Sequence, residues 1–175
     1  MGIDYHSLLG PGELPEINTI IEIGLGSTLK IEYNTKFQLF ELDRVEPGIF
    51  AKPTNYGFIP GTLDEDGDAL DTLVVTREPL PTGLYLKARV LGVLNFVDDG
   101  ENDHKIICVP ADDRDRGDDL QSLDDLGASW KKQVEHHFNH YKDLKKGGTE
   151  VQGYGSPEDA AAVIADCIKR YQAGN

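Results

Sequence analysis

The first half of the chain alternates apolar and polar residues with the two-residue period of half-buried strands. Ile17–Leu25, Thr28–Asn34 and Phe37–Asp43 are rich in Ile, Leu and aromatic residues, and turn residues separate them. Thr72–Thr76, Leu84–Val97 and Lys105–Val109 continue the pattern. Short strands joined by tight turns predict a closed or nearly closed barrel. The second half changes period. Trp130, Val134, Phe138 and Tyr141 recur at spacings of four, four and three, which places them on one helix face. Ser156-Pro157-Glu158-Asp159 reads as a helix start: a capping Ser, Pro in the first turn and acids behind it. Ala160, Val163, Ile164, Cys167, Ile168 and Tyr171 form the apolar stripe that follows. Both helices are expected to pack on the barrel, with their Trp and Tyr side chains in the core. No repeat, low-complexity tract or linker interrupts the 175 residues, so a single domain over 1–175 is expected.

Charge narrows the partners. Lys and Arg number 17 against 31 Asp and Glu, a net charge of −14. Nucleic acids and anionic membranes are polyanions, so neither is expected to bind. No apolar run approaches the length of a membrane span, and Met1-Gly2-Ile3-Asp4 lacks the start of a secretory signal. Two cysteines, Cys108 and Cys167, cannot build a disulfide scaffold or a zinc ribbon and suit a reducing compartment. A soluble, cytoplasmic protein is expected.

The acid is concentrated in two places. Five of the eight residues from Asp64 to Asp71 are acidic, and eleven more acids lie between Asp98 and Asp125. Most such runs are solvated loops. Here Asp66-Gly67-Asp68-Ala69-Leu70-Asp71 leads straight into an apolar strand, and Asp98 and Asp103 flank a Gly-containing turn between two others. Two rims of one barrel can thus point at least four carboxylates at one spot, where hard divalent cations would relieve their repulsion. An EF-hand is excluded, because Ala69 and Val75 stand where its Gly and Glu belong. Gly24-Leu25-Gly26 fails as a dinucleotide fingerprint, since Leu29 replaces the third glycine, and it reads better as a hairpin turn. Lys30 and Glu32 share the polar face of a strand, and Arg44 ends the next one. Asn55-Tyr56-Gly57 reads as a turn, and Tyr141-Lys142 closes the first helix of the second half.

These blocks, in this order, resemble the family I soluble inorganic pyrophosphatases along nearly the whole chain. The similarity runs through Ile20-Ile21-Glu22-Ile23, Lys30-Ile31-Glu32-Tyr33, Asp43-Arg44, Asn55-Tyr56-Gly57-Phe58, the Asp66-Asp71 signature, Asp98–Lys105 and His140-Tyr141-Lys142-Asp143. The resemblance implies an α+β, mainly β protein: a five-stranded, OB-type closed barrel with flanking C-terminal helices, assembled as a homohexamer, a dimer of trimers. It implies hydrolysis of pyrophosphate to two orthophosphates with several Mg2+ ions per active site. Asp66, Asp71 and Asp103 are then the core metal ligands, with Asp98 and Glu32 supporting further ions. Asp68 takes the proton from the attacking water, and Lys30, Arg44, Tyr56, Lys105, Tyr141 and Lys142 bind phosphate. Two positions depart from the family pattern: Lys52 stands where Tyr is usual, and Ala69 replaces the common Pro. Three rivals remain at this level. They are a non-catalytic cation- or polyphosphate-binding barrel, an OB-type nucleic-acid module, which −14 disfavours, and a nucleotide pyrophosphohydrolase, for which no Glu-rich helical motif is present.

Overall fold

The computed structural model describes residues 2–145 and 147–174. A short helix α1 (Tyr5–Leu9) precedes strands β1 (Gly12–Glu13), β2 (Glu16–Ile23), β3 (Leu29–Asn34) and β4 (Leu39–Val45). Then follow β5 (Asn55–Phe58), β6 (Asp71–Val74), β7 (Tyr85–Asp98), β8 (Glu101–Asn102) and β9 (Lys105–Pro110). Helix α2 (Gly127–His140), strand β10 (Thr149–Gly155) and helix α3 (Pro157–Gly174) complete the chain. The protein is mainly β with a few helices.

The ladders run β2–β5–β6–β9–β7, and β7 pairs again with β2, so these five strands form a ring of pairings. Among the described residues only β6 and β9 pair in parallel. Strand β7 is long enough to serve four neighbours: Tyr85–Arg89 meet β2, Ala88–Leu94 meet β9, Val93–Asp98 meet β10, and Val97 and Asp98 also meet β8. Its register with β9 shifts between Val90 and Gly92. A Cβ at Gly92 would stand 2.5 Å from both the Gly155 carbonyl oxygen and Leu123 Cδ1, so only glycine fits there.

Alternate residues of β6 and β9 feed two cores. Val74, Ile106 and Cys108 pack with Ile17 and Ile21 and, on α3, with Ala160, Ile164 and Cys167. Leu73, Ile107 and Val109 pack with Phe96 and, on α2, with Val134 and Phe138. Each fully buried Ile, Leu or Phe contributes about 1.5–3 kcal/mol relative to exposure, so both helices are held by their apolar stripes. At the start of α3, Ser156 Oγ accepts the Asp159 N–H at 3.2 Å while Asp159 Oδ2 accepts the Ser156 N–H at 2.8 Å. That reciprocal pair is a capping box, as the Ser-Pro-Glu-Asp start predicts.

Several expectations need correction. Asn55–Phe58 is a strand, not a turn. A Cβ at Gly57 would lie 2.1 Å from the Ile20 carbonyl oxygen, so glycine there lets β5 approach β2. Residues 24–28 form a turn, but β3 and β4 make a separate two-stranded sheet, so no hairpin joins β2 to β3. Trp130, Tyr141 and Tyr171 are half-buried rather than in the core, because one edge of each helix faces solvent or a cavity. Helix α1 and strand β10 have no counterpart in the sequence pattern above. Among the described residues no helix is long and apolar enough to cross a membrane.

Candidate active site

The loop before β6, the ends of β7 and β9, the β3–β4 hairpin and the end of α2 converge on one cavity of about 840 Å3. All the residues singled out in the sequence line it: Lys30, Glu32, Arg44, Tyr56, Asp66, Asp68, Asp71, Asp98, Asp103, Lys105, Tyr141 and Lys142. The parallel pairing of β6 with β9 sets Asp71 opposite Lys105. The hairpin register sets Lys30 opposite Arg44.

At the floor, the Lys105 ammonium is 2% exposed and donates to both Asp71 and Asp103. The Tyr56 hydroxyl also donates to Asp71. Burial opposes the charge of Lys105, but Asp71 and Asp103 more than offset it and hold its pKa above the usual lysine value. Burial raises the Asp71 and Asp103 carboxyls, while Lys105 pulls each back down. Asp66 is pushed up to about 6, by burial first, despite the Asp68 N–H that its Oδ1 accepts at 3.0 Å. Asp68 is raised as well, by burial and then by Glu32.

At the mouth, Asp98 accepts from the Tyr141 hydroxyl and from Lys142, whose ammonium also reaches Asp99 at 2.8 Å. Lys30 is paired with Glu32, and Arg44 with Asp43 and Glu46. These ammonium and guanidinium groups stand between the carboxylates. Accordingly, among the described residues no three acidic, His or Cys side chains already stand together as a metal site. The donor chemistry nevertheless fits a hard divalent cation, since every acidic group here offers oxygen and several are raised by mutual proximity and burial.

Glu22, which was given no role in the sequence, and Lys52, the departure from the family pattern, line the same cavity. Glu22 is buried on β2, and burial pushes its carboxyl up to about 8 against the Tyr33 N–H it accepts at 2.7 Å. The signal was available: Glu22 is the one acid inside the apolar run Ile20–Ile23. Helix α1 supplies part of one wall. His6 stacks on Phe58 and Tyr171 at 5.5 and 5.6 Å, and its Nδ1 accepts the Gly61 N–H at 3.0 Å. Elsewhere, the His136 and His140 rings lie 4.5 Å apart, and His140 meets Asp143 at 2.9 Å on the exposed side of α2.

Comparison with known proteins agrees with this geometry. The family model for inorganic pyrophosphatase matches residues 19–172. An inorganic pyrophosphatase of Neisseria meningitidis serogroup B is 58% identical over 171 residues, covering 96% of this chain and 97% of that protein. One from Haemophilus influenzae is likewise 58% identical over the same shares. A crystal structure of an inorganic pyrophosphatase from Neisseria gonorrhoeae superposes with a TM-score of 0.94 at 56% identity, covering 97% of this chain and 99% of that one. With the family model spanning most of the chain and relatives this similar over nearly their full length, the chain belongs to the inorganic pyrophosphatase family.

Proposed function

We propose that this protein hydrolyses inorganic pyrophosphate to two orthophosphates with magnesium, and that Asp68 is the general base. One observation carries the reading: cations and carboxylates alternate around a single cavity, the arrangement that a compact polyanion and its divalent counter-ions require. Asp66, Asp71 and Asp103 would hold the core ions, with Asp98 and Glu32 supporting further ones. Bound there, magnesium neutralises phosphate oxygens and lowers the pKa of its water. The Asp68 carboxylate takes the proton of the attacking water. Its raised pKa makes it a stronger base near neutrality. Lys30, Arg44, Tyr56, Lys105, Tyr141 and Lys142 donate to the two phosphoryl groups and hold them for in-line attack. No Ser, Cys or His nucleophile is needed.

The ring of five strand pairings supports a closed barrel of the OB type, in a single domain over 1–175. Exposed apolar side chains support the homohexamer, a dimer of trimers: Leu29 and Val45 face each other across the hairpin, and Ile49 follows. Two buried free thiols support a cytoplasmic location, and the net charge supports neither nucleic acid nor membrane as a partner. Orthophosphate release from pyrophosphate and from ATP, with magnesium, calcium or neither, tests the function. Magnesium-dependent release from pyrophosphate in preference to ATP is expected. Pyrophosphate binding without turnover would favour the binding-barrel rival.

A further inference from the structure

Among the described residues five cations line the cavity, and four are engaged by carboxylates: Lys30, Arg44, Lys105 and Lys142. Lys52 is different. Among the described residues its ammonium meets no carboxylate and donates no hydrogen bond. It lies 4.4 Å from the centre of the Tyr56 ring, with Phe138 at 5.7 Å and Tyr141 at 5.8 Å. Aromatic faces attract an ammonium without neutralising it, so this cage fixes the position and leaves three N–H donors free. The backbone is fixed too. The Lys52 N–H donates to the Ser27 carbonyl at 3.0 Å, its carbonyl accepts the Gly26 N–H at 2.9 Å, and Pro53 follows.

The carboxylates nearby are already engaged: Asp71 accepts from Lys105 and Tyr56, and Glu46 is paired with Arg44. Behind Lys52 a void of about 10 Å3 is bordered by Lys30, Arg44, Tyr141 and His137, and by that same Glu46. His137 is 7% exposed, and among the described residues its Nε2 has no hydrogen-bond partner. Burial and the nearby Lys52 push the imidazole down to about 3, so the ring is neutral. An ammonium among like charges, held only by rings, is a binding element awaiting an anion.

We infer that Lys52 is a phosphate-binding residue of this site, whose ammonium takes a phosphoryl oxygen of the substrate and retains the product orthophosphate. The inference rests on the pyrophosphatase reading of the cavity. It assigns a full charge to a position where the resemblance leads one to expect the neutral hydroxyl of Tyr.

Two variants test it. Lys52→Met keeps an apolar stem in the cage, and Lys52→Arg keeps the charge. With magnesium, Lys52→Met should raise both KM for pyrophosphate and the inhibition constant of orthophosphate about 10- to 100-fold, the worth of a hydrogen bond to a charged group. Turnover should fall much less, Lys52→Arg should recover most of the affinity, and the gap should narrow as salt screens the charge. Unchanged constants in Lys52→Met, or a fall in turnover alone, would overturn the inference. A second measurement uses the wild-type protein: orthophosphate with magnesium should shield Lys52 from acetylation, read by mass spectrometry, while leaving the exposed Lys169 reactive. Labelling of Lys52 indifferent to phosphate would also overturn it. Shielding does not depend on turnover, so its outcome is separable from failure of the hydrolytic reading, which would appear as wild-type protein releasing no phosphate.

Discussion

Replacing Lys105 by Met should unbalance the floor of the cavity in a way that pH and magnesium can each correct. The ammonium is 2% exposed and lies between the side chains of Asp71 and Asp103, which are 17% and 14% exposed. Removing one partner from a buried ionic cluster typically costs about 3–5 kcal/mol, because the remaining charges stay desolvated and unpaired. Asp71 keeps the Tyr56 hydroxyl and both acids border the cavity, so the low end, about 3 kcal/mol, applies. For a chain of this size that is a melting-temperature drop of about 6–12 °C. The pH sign follows from the carboxyls. Burial already raises both, and Lys105 is the main group opposing it, so in the variant they rise further. A carboxyl whose folded pKa is raised stabilises the fold when protonated and loses that contribution as pH rises through the folded value. The penalty of Lys105→Met should therefore be small at pH 5 and largest at pH 8. Magnesium should raise the variant's melting temperature more than the wild type's, because it can neutralise the two carboxylates left without their ammonium. Thermal melts in EDTA and in magnesium across that pH range provide the measurement. A penalty independent of pH, with no extra response to magnesium, would refute the reasoning.

Further outcomes follow from the other groups. Asp68→Asn should lower turnover by about 10²–10⁴ with magnesium affinity largely kept, measured by steady-state kinetics and calorimetry. The Lys52 ammonium is held down to about 8 by burial, Lys105, Lys30 and Arg44, against Asp71, with the Tyr56 and Tyr141 phenols and the neutral His137 around it. KM in the wild type should therefore climb above about pH 8 more steeply than in Lys52→Arg, and parallel profiles would contradict this. Ser156→Ala should cost about 1 kcal/mol by removing half of the capping box at α3, seen as a lower unfolding midpoint.

The site was more legible than the architecture around it. Carboxylates keep their identity whatever the fold, so the Asp66–Asp71 block, Asp98 and Asp103 could be named from their places at strand mouths, whereas Lys105 was named only through the family resemblance. Their convergence depends on the parallel pairing of β6 with β9, which is long-range and leaves no local mark. Glu22 escaped because its neighbours Ile21 and Ile23 are core residues, and the acid lines the cavity where the register of β2 with β5 shifts. Strand β5 was obscured by Gly57, which ordinarily signals a turn but here admits the close approach of β2. Helix α1 is five residues long with no buried side chain, so it offers no apolar stripe to read. Its His6 gains meaning only through Phe58 and Tyr171, far along the chain.

The central claim is that this carboxylate-and-cation cavity is a magnesium-dependent hydrolytic centre for pyrophosphate. A magnesium titration of orthophosphate release, run on the wild type and on Asp71→Asn, tests it most directly. The account predicts no release from wild-type protein in EDTA, a saturable rise with magnesium, and a curve displaced to higher magnesium in Asp71→Asn. Release that persists after exhaustive metal removal, or superimposable curves for the two proteins, would contradict it.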